Sequence, residues 1–66
     1  MKNKLRYHRD RTGESQAELA TAVGVSRQSI NAIERGRYDP SLELAFKLAS
    51  HYSCRIEDLF EPKIDG

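Results

Sequence analysis

Two short helical segments three residues apart, each opened by a serine and closed by a glycine, constrain this chain more than any other feature. The first begins at Ser15-Gln16-Ala17-Glu18. In that Ser-x-x-Glu spacing the serine hydroxyl and the glutamate carboxylate each satisfy a backbone N–H that the first turn of a helix leaves without a partner. Leu19, Ala20 and Val23 then fall on one face. Gly24 follows where a helix ends in a left-handed residue, a conformation glycine adopts without steric cost. After Val25 the pattern restarts: Ser26 is placed to cap a second helix, Ile30 and Ile33 mark its inner side, and Gly36 supplies the next stop. Neither helix has room for more than two or three turns, so each must be held by its neighbours.

The remainder of the chain is helical as well. A segment near Lys4 to Arg11 is charged nearly all round, with Leu5 its only plainly apolar residue, so its inner face must also use Tyr7 or His8. Asp39-Pro40-Ser41 announces a fourth helix running to His51 or Tyr52, with Ser41 as its cap. Leu42, Leu44, Ala45, Phe46, Leu48, Ala49 and Tyr52 leave it only Glu43, Lys47 and Ser50 as a polar stripe, which predicts the central core element. A last short helix, near Ile56 to Phe60, carries Glu57 and Asp58 in its first turn, where the helix dipole favours negative charge, and Pro62 closes it. No alternating β-branched run occurs. The expected fold class is all-α, five short helices in a single domain over residues 1–66.

At 66 residues the chain can bury one compact core but not a deep enclosed cavity, which argues against catalysis. The lone Cys54 excludes an internal disulfide and fits a reducing cytoplasm. Apolar runs are two or three residues long, far from the roughly 20 that span a bilayer, so no membrane partner is expected. The net charge of +1 conceals an asymmetry. Residues 1–38 carry eight basic and four acidic side chains, a balance of +4, and residues 39–66 carry three basic and six acidic, a balance of −3. One side is therefore suited to a polyanion and the other is turned away from it.

Two short helices joined through a glycine, the first packed under the second, form a helix-turn-helix. Leu19, Val23, Val25, Ile30 and Ile33 are all aliphatic where the pair must wedge onto a core, and Ala20 is small where the helix axes approach. The outer side of the second helix presents Arg27, Gln28, Ser29, Asn31 and Arg35, with Arg37 and Tyr38 just beyond it. Arginine can donate bidentately to guanine, and Gln or Asn can match the donor and acceptor of adenine. Serine and tyrosine hydroxyls suit phosphate oxygens. Any small helical bundle shows water a polar face. This one differs in carrying three arginines against only Glu34 and Asp39 at its edges.

The run from Ser15 to Ala20 and the run from Val23 to Ser41 resemble the Cro and phage-repressor type of helix-turn-helix, the XRE family of small prokaryotic regulators. The resemblance is densest over Ser15 to Leu48 and implies a lambda-repressor-like fold that binds double-stranded DNA. It places Gln16 against a phosphate and the outer helix, and brings Arg27, Gln28 and Asn31 to base edges, with Ser29 and Ala32 as lesser candidates. It puts Ser26, Arg35, Arg37 and Tyr38 nearer the phosphate backbone. Arg9 and Glu34 match a pair that ties the first helix to the outer one by a salt bridge. His8 and Glu14 depart from the pattern, standing where the family usually has aliphatic residues. Glu14 is accordingly expected in solvent.

Other chemistry finds little support. His51 and Cys54 have a His-x-x-Cys spacing, but a zinc site needs three or four ligands and His8 is the sole further candidate. Cys54 reads as a small boundary residue rather than a nucleophile, and no cofactor or small-molecule ligand is indicated. The expected function is a sequence-specific transcriptional regulator, most simply a repressor, acting as a homodimer on a palindromic operator with the motif at residues 16–36 and its second helix, 27–35, in the major groove. A single helix reads too few base pairs for much discrimination, whereas a two-fold pair reads two half-sites. Ile56, Leu59, Phe60 and Ile64, within a candidate dimerisation segment at residues 56–66, are the candidate dimer residues, with core burial the competing explanation for each. Leu59 and Phe60 are adjacent, so on a continuous helix at least one would face outward. A protein-interaction module of the antitoxin kind is the competing reading, for which 66 residues leave no extra segment.

Overall fold

The computed structural model describes residues 1–61. Its helices are α1 (Leu5–Thr12), α2 (Gln16–Val23), α3 (Arg27–Glu34), α4 (Leu42–His51) and α5 (Ile56–Leu59). Two strands of two residues each, β1 (Lys2–Asn3) and β2 (Phe60–Glu61), pair antiparallel with Lys2 opposite Glu61 and Asn3 opposite Phe60. This ribbon was not expected from the sequence. It ties the two ends of the described chain together, reinforced by the Lys4 amide donating to the Leu59 carbonyl at 2.8 Å.

The local signals around the two central helices act as their chemistry requires. The Ser15 hydroxyl accepts from the Glu18 amide and the Glu18 carboxylate accepts from the Ser15 amide, completing the capping box of α2. Ser26 and Ser41 cap α3 and α4 through their hydroxyls in the same way. Gly24 has φ +78° and Gly36 φ +73°, left-handed values that a side chain would strain. At Gly36 the chain turns with the Gly36 amide on the Ile33 carbonyl and the Arg37 amide on the Ala32 carbonyl, so the helix-end carbonyls keep donors.

The core gathers Leu5, Leu19, Ala20, Val23, Ile30, Ile33, Leu44, Ala45, Leu48, Leu59 and Phe60, with Val25, Tyr52, Cys54 and Ile56 packed against it. The contact of α2 with α3 is its most extensive helix pairing. Among the described residues no helix is long and apolar enough to cross a membrane.

Two expectations about packing need correction, and one open alternative is decided. The fourth helix is central on one side only: Leu44, Ala45, Leu48 and Ala49 are buried, whereas Leu42 is 69% exposed and Phe46 58%. Its apolar residues span more of the helix circumference than one neighbouring layer can cover. Leu59 and Phe60 do not divide between core and surface, since both are buried. The helix stops at Leu59 and Phe60 turns extended, with φ −121° and ψ 138°, which swings its side chain back inward. These two residues belong to the core and not to a dimer surface. Ile56 is half-buried against the same core, and Ile64 lies outside the described residues. On α1, Tyr7 is exposed, and His8 supplies the inner face by packing its ring 5.4 Å from that of Tyr52.

Candidate nucleic-acid interface

Helix α3 turns Ile30 and Ile33 into the core and leaves Arg27 and Gln28 exposed at its start. Ser29 and Asn31 are half-buried beside them, and Arg35, Arg37 and Tyr38 are exposed where the chain leaves the helix. Arg27, Arg35 and Arg37 form no ion pair among the described residues. Three cations unneutralised by the protein therefore flank one row of hydrogen-bonding side chains. Ser26 has a local task as well: its hydroxyl accepts the Ser29 amide at 3.1 Å and meets the Ser29 hydroxyl at 2.9 Å.

Behind this face runs a chain of charge-assisted bonds. The Arg9 guanidinium donates through Nε to Glu34 Oε2 at 2.8 Å and through Nη2 to Oε1 at 3.2 Å, joining α1 to the end of α3. Its remaining Nη1 donates to the Glu14 carbonyl at 2.9 Å. Gln16 then donates to Glu34 Oε1 at 3.1 Å and presents its own carbonyl oxygen to the Asn31 amide at 3.5 Å, a contact at the edge of hydrogen bonding. The Glu34 side chain is 5% exposed and that of Arg9 13%, so the pair works largely out of water. The hydrogen bond to Glu34 raises the Arg9 pKa further above its ordinary value, despite burial. Glu34 is thus committed to the protein, which removes its negative charge from the outward face.

The fold has counterparts among known proteins. The family model described as helix-turn-helix matches residues 5–59. This chain belongs to the helix-turn-helix family of transcriptional regulators. It is 57% identical over 60 residues, 91% of each chain, to an uncharacterized HTH-type transcriptional regulator of Methanocaldococcus jannaschii. It is 50% identical over 60 residues, again 91% of each, to the uncharacterized HTH-type regulator YgzD of Bacillus subtilis. Among solved structures it is similar to the restriction-modification controller protein C.AhdI of Aeromonas hydrophila, with TM-score 0.78, 35% identity and 86% of each chain covered. It is also similar to the SOS-response repressor LexA of Eubacterium rectale, with TM-score 0.81 and 28% identity over 94% of this chain and 69% of that one. The lambda-repressor-like fold expected from the sequence is the one observed.

In this helix-turn-helix regulator the two residues that depart from the family pattern meet at one place. Glu14, expected in solvent, has a side chain only 19% exposed. Its carboxylate accepts from Thr12 Oγ1 at 2.8 Å and Tyr52 Oη at 2.9 Å, and lies 2.7 Å from His51 Nε2. Burial opposes its ionisation, but the bonds from His51, Thr12 and Tyr52 outweigh that and hold the carboxyl below its ordinary pKa. Burial, followed by the Glu14 hydrogen bond, pushes the Tyr52 phenol well above its own. His8 packs its ring against that of the same tyrosine. Glu14 and His51 stand 37 positions apart, and no local signal links them.

A second set of contacts invisible in the sequence anchors the far end of α3. Asn3 donates to the Ile33 carbonyl at 2.8 Å, and the Met1 amine lies 3.2 Å from Asp39. Cys54 packs against the core, and burial, then the Asp58 charge, raises its thiol pKa, opposite to what a nucleophile needs.

Proposed function

We propose that this regulator is a repressor that binds a palindromic operator as a homodimer in the cytoplasm, laying α3 in the major groove of each half-site. The observation that carries the reading is the outer surface of α3: Arg27 and Gln28 exposed, Ser29 and Asn31 half-buried beside them, none in an ion pair, with Asn31 backed by Gln16, which Glu34 holds in turn. In this reading Arg27, Gln28 and Asn31 meet base edges, with Ser29 beside them. Gln16, Ser26, Arg35, Arg37 and Tyr38 meet the backbone. Arginine and the two amides are the side chains that distinguish base pairs by bidentate hydrogen bonding. A two-fold pair would set two such helices about 34 Å apart, one turn of DNA, and exclude polymerase from the site it covers.

Selection of bound sequences from random DNA tests this directly. A palindrome with half-sites about one helical turn apart is expected, and an asymmetric or absent consensus would overturn the reading. On the selected site Arg27→Ala or Gln28→Ala should cost about 1–3 kcal/mol and relax the preference at one base pair. Arg37→Ala should weaken all sequences alike and reduce the salt slope of binding by about 1 per neutralised phosphate.

A further inference from the structure

Among the described residues, the exposed large apolar side chains are Met1, Tyr7, Tyr38, Leu42 and Phe46. Leu42 and Phe46 alone share a helix face, one turn apart on α4, and they are the two most exposed of the five. Ala22 and Val23, at the end of α2, border them across a shallow open groove. On the flank of the same face stand Glu43 and Lys47, also one turn apart, their charged ends 3.6 Å from one another.

We propose that this face of α4 is where a second copy of the chain docks, the two α4 helices crossing antiparallel about a two-fold axis. The inference rests on the homodimeric reading above and assigns its surface. A two-fold interface must complement itself, because each copy offers the same patch. Antiparallel pairing sets Leu42 of one copy against Phe46 of the other, and Phe46 against Leu42. The same operation sets Glu43 of each copy opposite Lys47 of the other along one flank of the contact, so the facing charges are opposite in sign. An apolar centre with a charged rim is the anatomy of a protein interface.

Charge-reversal variants of the full chain, followed by sedimentation equilibrium with circular dichroism as the check on folding, test the arrangement. Glu43→Lys alone would place lysine opposite lysine twice in the dimer, and Lys47→Glu alone glutamate opposite glutamate twice. Each variant by itself should dimerise at least tenfold more weakly than the wild type. Mixed in equal amounts they should form a heterodimer of near wild-type strength, because every facing pair is then opposite in sign. Phe46→Ala should weaken dimerisation at least tenfold with the helical spectrum retained. A wild-type dimer unaffected by all three substitutions would overturn this surface and leave the homodimer standing elsewhere, with the α4 face open to a different partner. A wild-type chain that is monomeric both free and on its selected DNA would overturn the homodimer and this surface together.

Discussion

Helices α3 and α4 start alike, each from a serine whose hydroxyl accepts an amide of the first turn, and they end in the same pair of hydrogen bonds. Each also turns aliphatic residues inward, Ile30 and Ile33 on α3 and Leu44 and Leu48 on α4. They differ in what holds them and in what they show to water. Helix α3 is braced by ionic and amide groups, Arg9, Glu34 and Gln16, and its outer face is polar. Helix α4 is held by a layer of Leu44, Ala45, Leu48 and Ala49, and its outer face carries Leu42 and Phe46. A hydrogen-bonding face suits base edges and phosphates, and an apolar one suits another protein surface. A chain of 66 residues can therefore separate two recognition tasks by giving each to one helix.

The contrast in scaffolding can be broken first from the apolar side. Leu48 is fully buried, and Leu48→Ala should cost about 2–5 kcal/mol by losing its contacts and leaving a cavity, read as a lowered midpoint in urea. The polar brace should be the next most sensitive. Glu34→Ala strands the Arg9 guanidinium and should cost about 1.5–3 kcal/mol, with specificity on the selected operator declining as Gln16 loses its partner. If DNA recognition is untouched while stability drops, the brace holds the fold and does not orient the face.

Acidity sharpens the difference at the far end of α4. Glu14 has its pKa lowered by folding, so its contribution is present above the ordinary carboxyl value and lost as pH falls through the folded one. Urea midpoints between pH 7 and pH 3 should show the wild type losing an advantage of about 1 kcal/mol over Glu14→Gln on acidification. A constant difference across that range would mean that the carboxylate charge contributes nothing to holding His51 and Tyr52.

The smallest effect lies in the two helix ends. Where α3 has Gly36 in the left-handed conformation, α4 has Ser53 at φ +52°. Ser53→Gly should stabilise by roughly 0.5 kcal/mol, the relief of side-chain strain exceeding the added backbone entropy of the unfolded chain. Gly36→Ser should cost about 1 kcal/mol, because a side chain is strained at φ +73° even though its Cβ would meet nothing closer than ordinary contact with the Met1 carbonyl. Thermal melts resolve both, as 1 kcal/mol moves the midpoint of so small a domain by about 4–8 °C.

The features legible in the sequence are those decided within one or two helical turns. Ser15 with Glu18, Ser26, Ser41, Gly24 and Gly36 each satisfy or release backbone groups a few residues away, so their meaning survives without knowledge of the rest of the chain. For the same reason the outer face of α3 can be read directly: with Ile30 and Ile33 inward, the 3.6-residue period leaves Arg27, Gln28 and Asn31 toward the other side.

Periodicity could not show how much of an apolar surface finds a neighbour. On α4 it marks Leu42 and Phe46 as core-like, but one layer of partners covers only the opposite side. At Leu59 and Phe60 the helical period expects divergence, and the switch to extended backbone beside Asn3 buries both. Glu14 looks solvated until residues 37 and 38 positions later bring it two hydrogen-bonding rings. Local chemistry settled where the helices of this protein begin and end and what α3 presents, since those choices concern backbone groups within reach of their own turn. Which apolar groups are covered and which carboxylate is held depend on neighbours far along the chain, and only tertiary packing brings those together.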